Sequence, residues 1–147
     1  MMQTREARAE DFEDAVELYQ ELVGDWDRMA KGSEARQQWL SILEHSGTKV
    51  FAAELDKKVV GLVTLHLLPN MTFGSRPYAL IENVVTAHEH HGKGIGRQLM
   101  QAAMDHAWLE TAYKIMLLTG MGRGAKGFYE KLGFNADDKH GMIIWKD

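Results

Sequence analysis

The segment ENVVTAHEHHGKGIGR, from Glu82 to Arg97, concentrates the residue types suited to holding an anionic ligand. Gly92, Gly94 and Gly96 alternate with Lys93 and Ile95, and Arg97 follows. Glycine lets the backbone approach a ligand closely and turn its N–H groups inward, and a helix N-terminus adds partial positive charge. Placed between a strand and a helix, such a turn is a pyrophosphate cradle; stripped of its flanks, it also reads as a plain strand-to-helix connection. Two familiar phosphate motifs do not fit it. G-x-x-x-x-G-K-[ST] occurs nowhere in the chain, and a dinucleotide fingerprint starting at Gly92 needs glycine where Arg97 stands. A second cluster, Gly122-Arg123-Gly124-Ala125-Lys126-Gly127, does match G-x-G-x-x-G. Only the tail to Asp147 follows it, too short for the helix, second strand and acidic residue of a dinucleotide-binding unit. His88, His90 and His91 suggest a metal, but a four-coordinate site needs further ligands and there is no cysteine to supply them, so no metal is expected.

The elements that must position these residues follow from periodicity. Residues 4–8 read as a first strand, and Asp11 can cap a helix whose apolar positions Phe12, Ala15, Val16, Leu18, Tyr19, Leu22 and Val23 recur at helical spacing until Gly24. Ser33 opens a second amphipathic segment carrying Trp39, Leu40, Ile42 and Leu43. Runs at 49–55 and 59–68, separated by Asp56-Lys57-Lys58, read as an antiparallel hairpin, and 69–77, with both prolines, as a loop. A strand at 78–86, a helix at 95–110, a buried apolar strand at 113–119 (YKIMLLT), a short helix at 125–132 and a final strand near 141–145 complete the order. The pattern β-α-α-β-β-β-α-β-α-β predicts a single α/β domain over residues 1–147. Its sheet is mixed and mostly antiparallel with a central parallel strand pair, and helices cover both faces.

Composition narrows the function classes. The chain has 147 residues, 45% hydrophobic and 26% charged, as an ordinary globular domain does. Zero cysteines exclude disulfides and thiol nucleophiles and fit a reducing compartment. A net charge of -4 argues against nucleic acid as a main partner. The acidic N-terminal region without an apolar core, and the lack of any long apolar run, point to a cytoplasmic protein that does not engage membranes.

Residues 81–97, then a helix, a strand and the block Gly127-Phe128-Tyr129-Glu130-Lys131-Leu132-Gly133-Phe134, resemble the GNAT superfamily of acyl-CoA-dependent N-acyltransferases. That family's signature is [RQ]-x-x-G-x-[GA] after the fourth strand and a later F-Y-x-x-x-G-F. The stretches IENVV, HGKGIG, AYKIMLLTG and FYEKLGF are further similar to the small branch that includes glucosamine-6-phosphate N-acetyltransferases. The resemblance implies acetyl-CoA as cosubstrate, a small-molecule primary amine as acceptor, and a homodimer, for which the apolar stretch Ile143-Ile144-Trp145 offers an edge. It implies that the backbone N–H groups of Gly92, Lys93, Gly94, Ile95 and Gly96 hold the CoA pyrophosphate, with charge from Lys93 and Arg97. Val84 and Val85 would bind the pantetheine arm through their backbones, and Phe128 and Tyr129 would flank its thiol end. Two positions depart from the pattern. His91 stands where the signature has Arg or Gln, and Ala125 where an Asn often precedes the aromatic pair.

Acetyl transfer to an amine needs a group to accept the amine proton and one to protonate the departing thiolate. Tyr129 is the expected acid. Glu82 is the candidate base, with anchoring of the substrate ammonium as its alternative role. With no cysteine, transfer is direct, in a ternary complex. A module that binds acyl-CoA without turning it over is the alternative from another class.

Overall fold

A computed structural model describes residues 1–147, the side chain of Trp26 excepted, so a role for that side chain in an acceptor pocket lies outside the described residues. The chain forms two compact units, Met1–Met116 and Leu117–Asp147. In the first, β1 (Met2–Glu6), α1 (Phe12–Val23) and α2 (Gly32–Glu44) precede the hairpin β2 (Thr48–Leu55) and β3 (Lys58–Leu68). The single turn α3 (Thr72–Ser75), β4 (Tyr78–Thr86), α4 (Ile95–Leu109) and the short β5 (Ile115–Met116) follow. The described strands form one five-stranded sheet in the order β1-β2-β3-β4-β5, antiparallel except for the parallel pair β4 and β5. No helix among the described residues is long and apolar enough to cross a membrane.

The hairpin closes through Asp56 and Lys57 at φ +49° and +68°, the two-residue turn whose twist matches that of the strands it joins. Helices cover both faces of the sheet. Strand alternation sends Gly61 and Val63 to one face and Leu62 and Thr64 to the other. On the first face α4 packs so closely that a Cβ on Gly61 would lie 2.8 Å from Leu99 Cδ1 and 3.2 Å from Ile95 Cγ2, and Phe51, opposite Val63, meets His106 edge-on. On the second, Tyr19 of α1 shares a hydrogen bond with Thr64, and Trp39 of α2 packs edge-on against Tyr19. The core, led by Leu62, Leu65, Ile81, Leu99 and Met100, lies on β3, β4 and α4.

Where the structure departs from the sequence reading, the cause is a missing or different partner. Asp11 makes no side-chain cap for α1. Its carboxylate instead accepts the Arg8 N–H at 2.7 Å and both terminal nitrogens of Arg5 at 2.8 and 3.0 Å. The apolar run at 113–119 yields only the two-residue β5, and Met116 and Leu118 are exposed rather than buried. The expected final strand at 141–145 is not formed. Its apolar residues find no ladder among the described residues, and strand propensity without a paired edge does not make a strand. With that strand missing, the parallel pair sits at the end of the described sheet rather than at its centre.

The second unit contains a single turn at Met121–Arg123 and α5 (Lys126–Lys131), after which Gly133 at φ +104° reverses the chain. The Phe134 N–H then donates to the Tyr129 carbonyl, which folds the Phe134 ring back to 6.1 Å from that of Tyr129. The spacing F-Y-x-x-x-G-F is thus a helix end written in sequence.

Arg5 ties the start of α1 to the sheet, since the same guanidinium also donates to Glu54 Oε1 at 2.8 Å while only 9% of its side chain is exposed. Burial alone would raise the Asp11 pKa. The hydrogen bonds from Arg5 and from the Arg8 backbone, with the charge of both arginines, outweigh it and hold this carboxyl below its ordinary value. A group with a depressed folded pKa adds stability that is full above its unfolded pKa and lost as pH falls through the folded one. Asp11→Asn should therefore cost about 3 kcal/mol near neutrality, the low end for breaking a buried pair because Glu54 still holds Arg5. Melting curves should show roughly 6–12 °C lost at pH 7, shrinking as acid protonates Asp11 in the parent protein. Equal melting temperatures at pH 7 would show that the pair contributes nothing.

Candidate active site

β4 carries the site. Leu62 pairs with Val85 and Thr64 with Glu82, so two residues, Asn83 and Val84, stand opposite the single Val63. This is a β-bulge, and Asn83 sustains it at φ +51°, a left-handed conformation that asparagine tolerates better than most residues. On its other side β4 is paired by β5 only at Ala79 and Leu80. Residues 81–86 therefore present a row of backbone N–H and C=O groups with no strand partner among the described residues, a template for an extended ligand to add to.

The edge leads into the glycine turn. After β4 the chain makes one turn at His88–His90, and the His91 ring returns to donate from Nε2 to the Thr86 carbonyl at 2.7 Å. That bond places the proton on Nε2 and fastens the loop to the strand end. Lys93 donates to His90 Nδ1 at 3.2 Å, and Arg97 is exposed on the first turn of α4. Gly92 and Gly94 lie at φ +78° and +80°, and Gly94 is the N-cap of α4 with no side chain closing over it. The N–H groups of Ile95, Gly96 and Arg97 have no acceptor within the helix, so the turn is open to an anion. Ile95, 3% exposed, anchors this helix end, and the contact with Gly61 sets how closely it approaches β3.

Glu82 is exposed and pairs across the ladder with the buried Thr64, which places both on the α1 and α2 face of the sheet. Burial pushes the Tyr19 phenol above its ordinary value, against the hydrogen bond from Thr64 that favours its ionised form. Among the sequence-assigned residues, Glu82, Val84, Val85 and the loop from His91 to Arg97 are thus consecutive along one strand and its exit. Phe128 and Tyr129 belong to the second unit, on α5, half-buried with ring centroids 5.0 Å apart. Burial raises the Tyr129 pKa while the charge of Arg123 opposes it, so the phenol keeps its proton at neutral pH. Ala125 occupies the N-cap of α5 and makes no side-chain cap. No group of three or more His, Cys, Asp or Glu that could hold a metal ion occurs among the described residues.

The acetyltransferase (GNAT) family model matches residues 6–134. The chain belongs to the GNAT family. Glucosamine 6-phosphate N-acetyltransferase of Trypanosoma brucei brucei is 33% identical to it over 92 residues, covering 63% of this chain and 61% of that protein. The chain spans about three fifths of the length of the curated relatives it matches. A solved structure assigned as an acetyltransferase, from Agrobacterium tumefaciens str. C58, is 35% identical with a TM-score of 0.89, covering 97% of this chain and 99% of that one. Glucosamine-6-phosphate N-acetyltransferase from Arabidopsis thaliana shares the fold at a TM-score of 0.84 and 21% identity, covering 100% and 99% of the two chains.

Sequence reasoning passed over two positions that shape this GNAT site. Asn83 was readable only as an asparagine inside an otherwise apolar strand, and Gly61 as a lone strand glycine, both signals of a bulge or a close approach. The bulge gives a direct test. Asn83→Val forces a β-branched residue into left-handed backbone and should lower stability by about 1–3 kcal/mol, whereas Asn83→Gly should stay within about 1 kcal/mol of the parent. Chemical denaturation of both variants checks this, and a valine variant as stable as the parent would contradict the bulge.

Proposed function

We propose that the chain is an acetyl-CoA-dependent N-acetyltransferase that moves an acetyl group to a primary amine of a small molecule by direct attack in a ternary complex. The observation that carries this reading is the bulged β4, whose unpaired edge leads, through the turn at His88–His90, into an open glycine turn at the start of α4. An extended arm can add to such an edge through Val84 and Val85 while a pyrophosphate meets the N–H groups of residues 92–96, with Lys93 and Arg97 balancing its charge. The family match over residues 6–134 crosses both units and supports one catalytic domain over 1–147.

Acetyl-CoA supplies an activated acyl group as a thioester. Glu82 takes one proton from the ammonium of the acceptor so that its nitrogen can attack the thioester carbonyl and form the C–N bond; as the C–S bond breaks, Tyr129 gives its proton to the departing thiolate, and the second nitrogen proton restores the Tyr129 phenol and leaves a neutral amide. A phenol whose pKa is raised by burial is protonated and ready for that task. No cysteine is available to carry the acetyl group, which supports direct transfer and a cytoplasmic location. We also propose a homodimer, supported by the tail residues Met142, Ile144 and Trp145, which are 90%, 95% and 74% exposed. Light scattering should then return twice the 16.6 kDa of one chain, and a monomer mass at micromolar concentration would remove the dimer.

Release of free thiol from acetyl-CoA in the presence of a panel of primary amines tests the activity. Saturable acetyl-CoA binding without thiol release from any amine would favour a binding module instead. Two variants probe the assigned parts. A Cβ on Gly94 would meet nothing within 4 Å, so Gly94→Val acts through the backbone, which cannot easily hold φ +80° with a β-branched side chain. Calorimetry should show acetyl-CoA bound at least about tenfold more weakly, roughly 1.4 kcal/mol. Unchanged affinity in a folded Gly94→Val protein would place the cofactor elsewhere. Tyr129→Phe keeps the ring and should keep the melting temperature and hold the acetyl-CoA Kd within about threefold, while kcat drops roughly 10²-fold. Parent-level kcat in that variant would refute the acid role.

A further inference from the structure

Three backbone groups in succession are fixed where the chain leaves β4. The Thr86 carbonyl accepts from His91 Nε2 at 2.7 Å, the Ala87 N–H donates to the Val60 carbonyl of β3 at 2.8 Å, and the His88 N–H donates to Glu21 Oε1 of α1 at 2.8 Å. The first two partners belong to the loop itself and to the neighbouring strand. Glu21 comes from another layer of the fold, 67 residues away in sequence. Helix energetics give it no reason to be there. α1 ends at Val23, so Glu21 lies in its last turn, where unpaired carbonyls leave partial negative charge and an acid is disfavoured. No basic residue of that turn offsets it. Asp14, which takes the Val59 N–H at 2.9 Å, stands in the first turn, where an acid is favoured. Glu21 is exposed, so core packing does not account for it either. The contact with His88 does. That residue opens the turn His88–His90, Ala87 before it supplies no side-chain cap, and the first N–H of such a turn needs an acceptor from outside.

We propose that Glu21 is a positioning residue for the cofactor. By holding the His88 amide it fixes where the glycine turn, and with it the N–H groups of residues 92–96, stands relative to the edge of β4. The inference rests on the reading of the chain as an acetyl-CoA-dependent enzyme and adds a residue to its cofactor site. One ligand has to meet both surfaces, with its extended arm on β4 and its pyrophosphate on the turn. Any freedom between the two is therefore lost on binding and weakens it. The contacts at Thr86, Ala87 and His88 remove that freedom before the ligand arrives, and Glu21 is the one through which α1 braces the exit. A carboxylate beside the turn opposes an anion by its charge. Whatever Glu21 contributes to binding thus comes through its hydrogen bond, which separates the two effects by experiment.

Calorimetry with acetyl-CoA and melting curves on the full chain, for the parent, Glu21→Ala and Glu21→Gln, test the inference. Alanine favours helix, and the change removes an acid from a helix C-terminus, so Glu21→Ala should keep or raise the melting temperature. The same variant should bind acetyl-CoA about three- to tenfold more weakly, in line with the net value of one hydrogen bond. Glu21→Gln keeps an oxygen for the His88 N–H and drops the charge, so its affinity should equal or exceed that of the parent. Affinity at the parent's level in Glu21→Ala would overturn the inference and leave the acetyltransferase reading intact. So would a glutamine variant as weak as the alanine one, or a melting temperature that falls together with the affinity, since the contact would then be merely structural. A parent protein that binds no acetyl-CoA would overturn the reading and the inference with it.

Discussion

The candidate site depends on one constraint: β4 must pair with β3 along one edge and, beyond Leu80, leave the other without a strand partner among the described residues. Pairing with β3 holds it in the core, where Ile81 is 2% exposed, while β5 leaves it after Leu80. The bulge at Asn83 and Val84 makes the two demands compatible, because the extra residue bends and twists the strand without breaking the ladder with β3. A straight β4 kept in the register of residues 78–82 would put Val84 rather than Val85 opposite Leu62 and turn every later side chain to the other face.

The remaining elements hold this strand and its exit in place. Gly61 lets α4 settle on β3 more closely than a Cβ would allow without displacing Leu99 and Ile95, next to the helix end that follows Gly94. Across the sheet, the Arg5 guanidinium binds Asp11 and Glu54 together and thereby sets where α1 leaves β1, and α1 in turn carries Tyr19 to Thr64. His91, bonded to the Thr86 carbonyl, ends the strand and starts the turn in one contact. Backbone geometry on one face and a buried ion pair on the other thus converge on the same strand.

Much of this was readable from the chain, because the features to which the chemistry is proposed to belong are local. The alternating glycines, the block F-Y-x-x-x-G-F and the strand at 78–86 each have a signature within a few residues, and the structure returns that strand with the same limits. Features set by distant partners were not readable. The register that creates the bulge belongs to β3 as much as to β4. Asp11 looked like a cap because capping is a local property, and its engagement with Arg5 depends on how β1 meets the helix. The apolar stretches at 113–119 and 141–145 read as strands by composition, yet only two residues of the first are paired and none of the second, because composition does not say which edge a segment takes up.

Amide hydrogen exchange with and without acetyl-CoA reads the very backbone groups of β4 and the glycine turn that are proposed to hold the ligand. Saturating acetyl-CoA should slow exchange at Val84 and Val85 and at residues 92–96, leaving β1 unchanged. Protection confined to the second glycine cluster at 122–127, or no protection at the β4 edge despite bound ligand, would contradict the account.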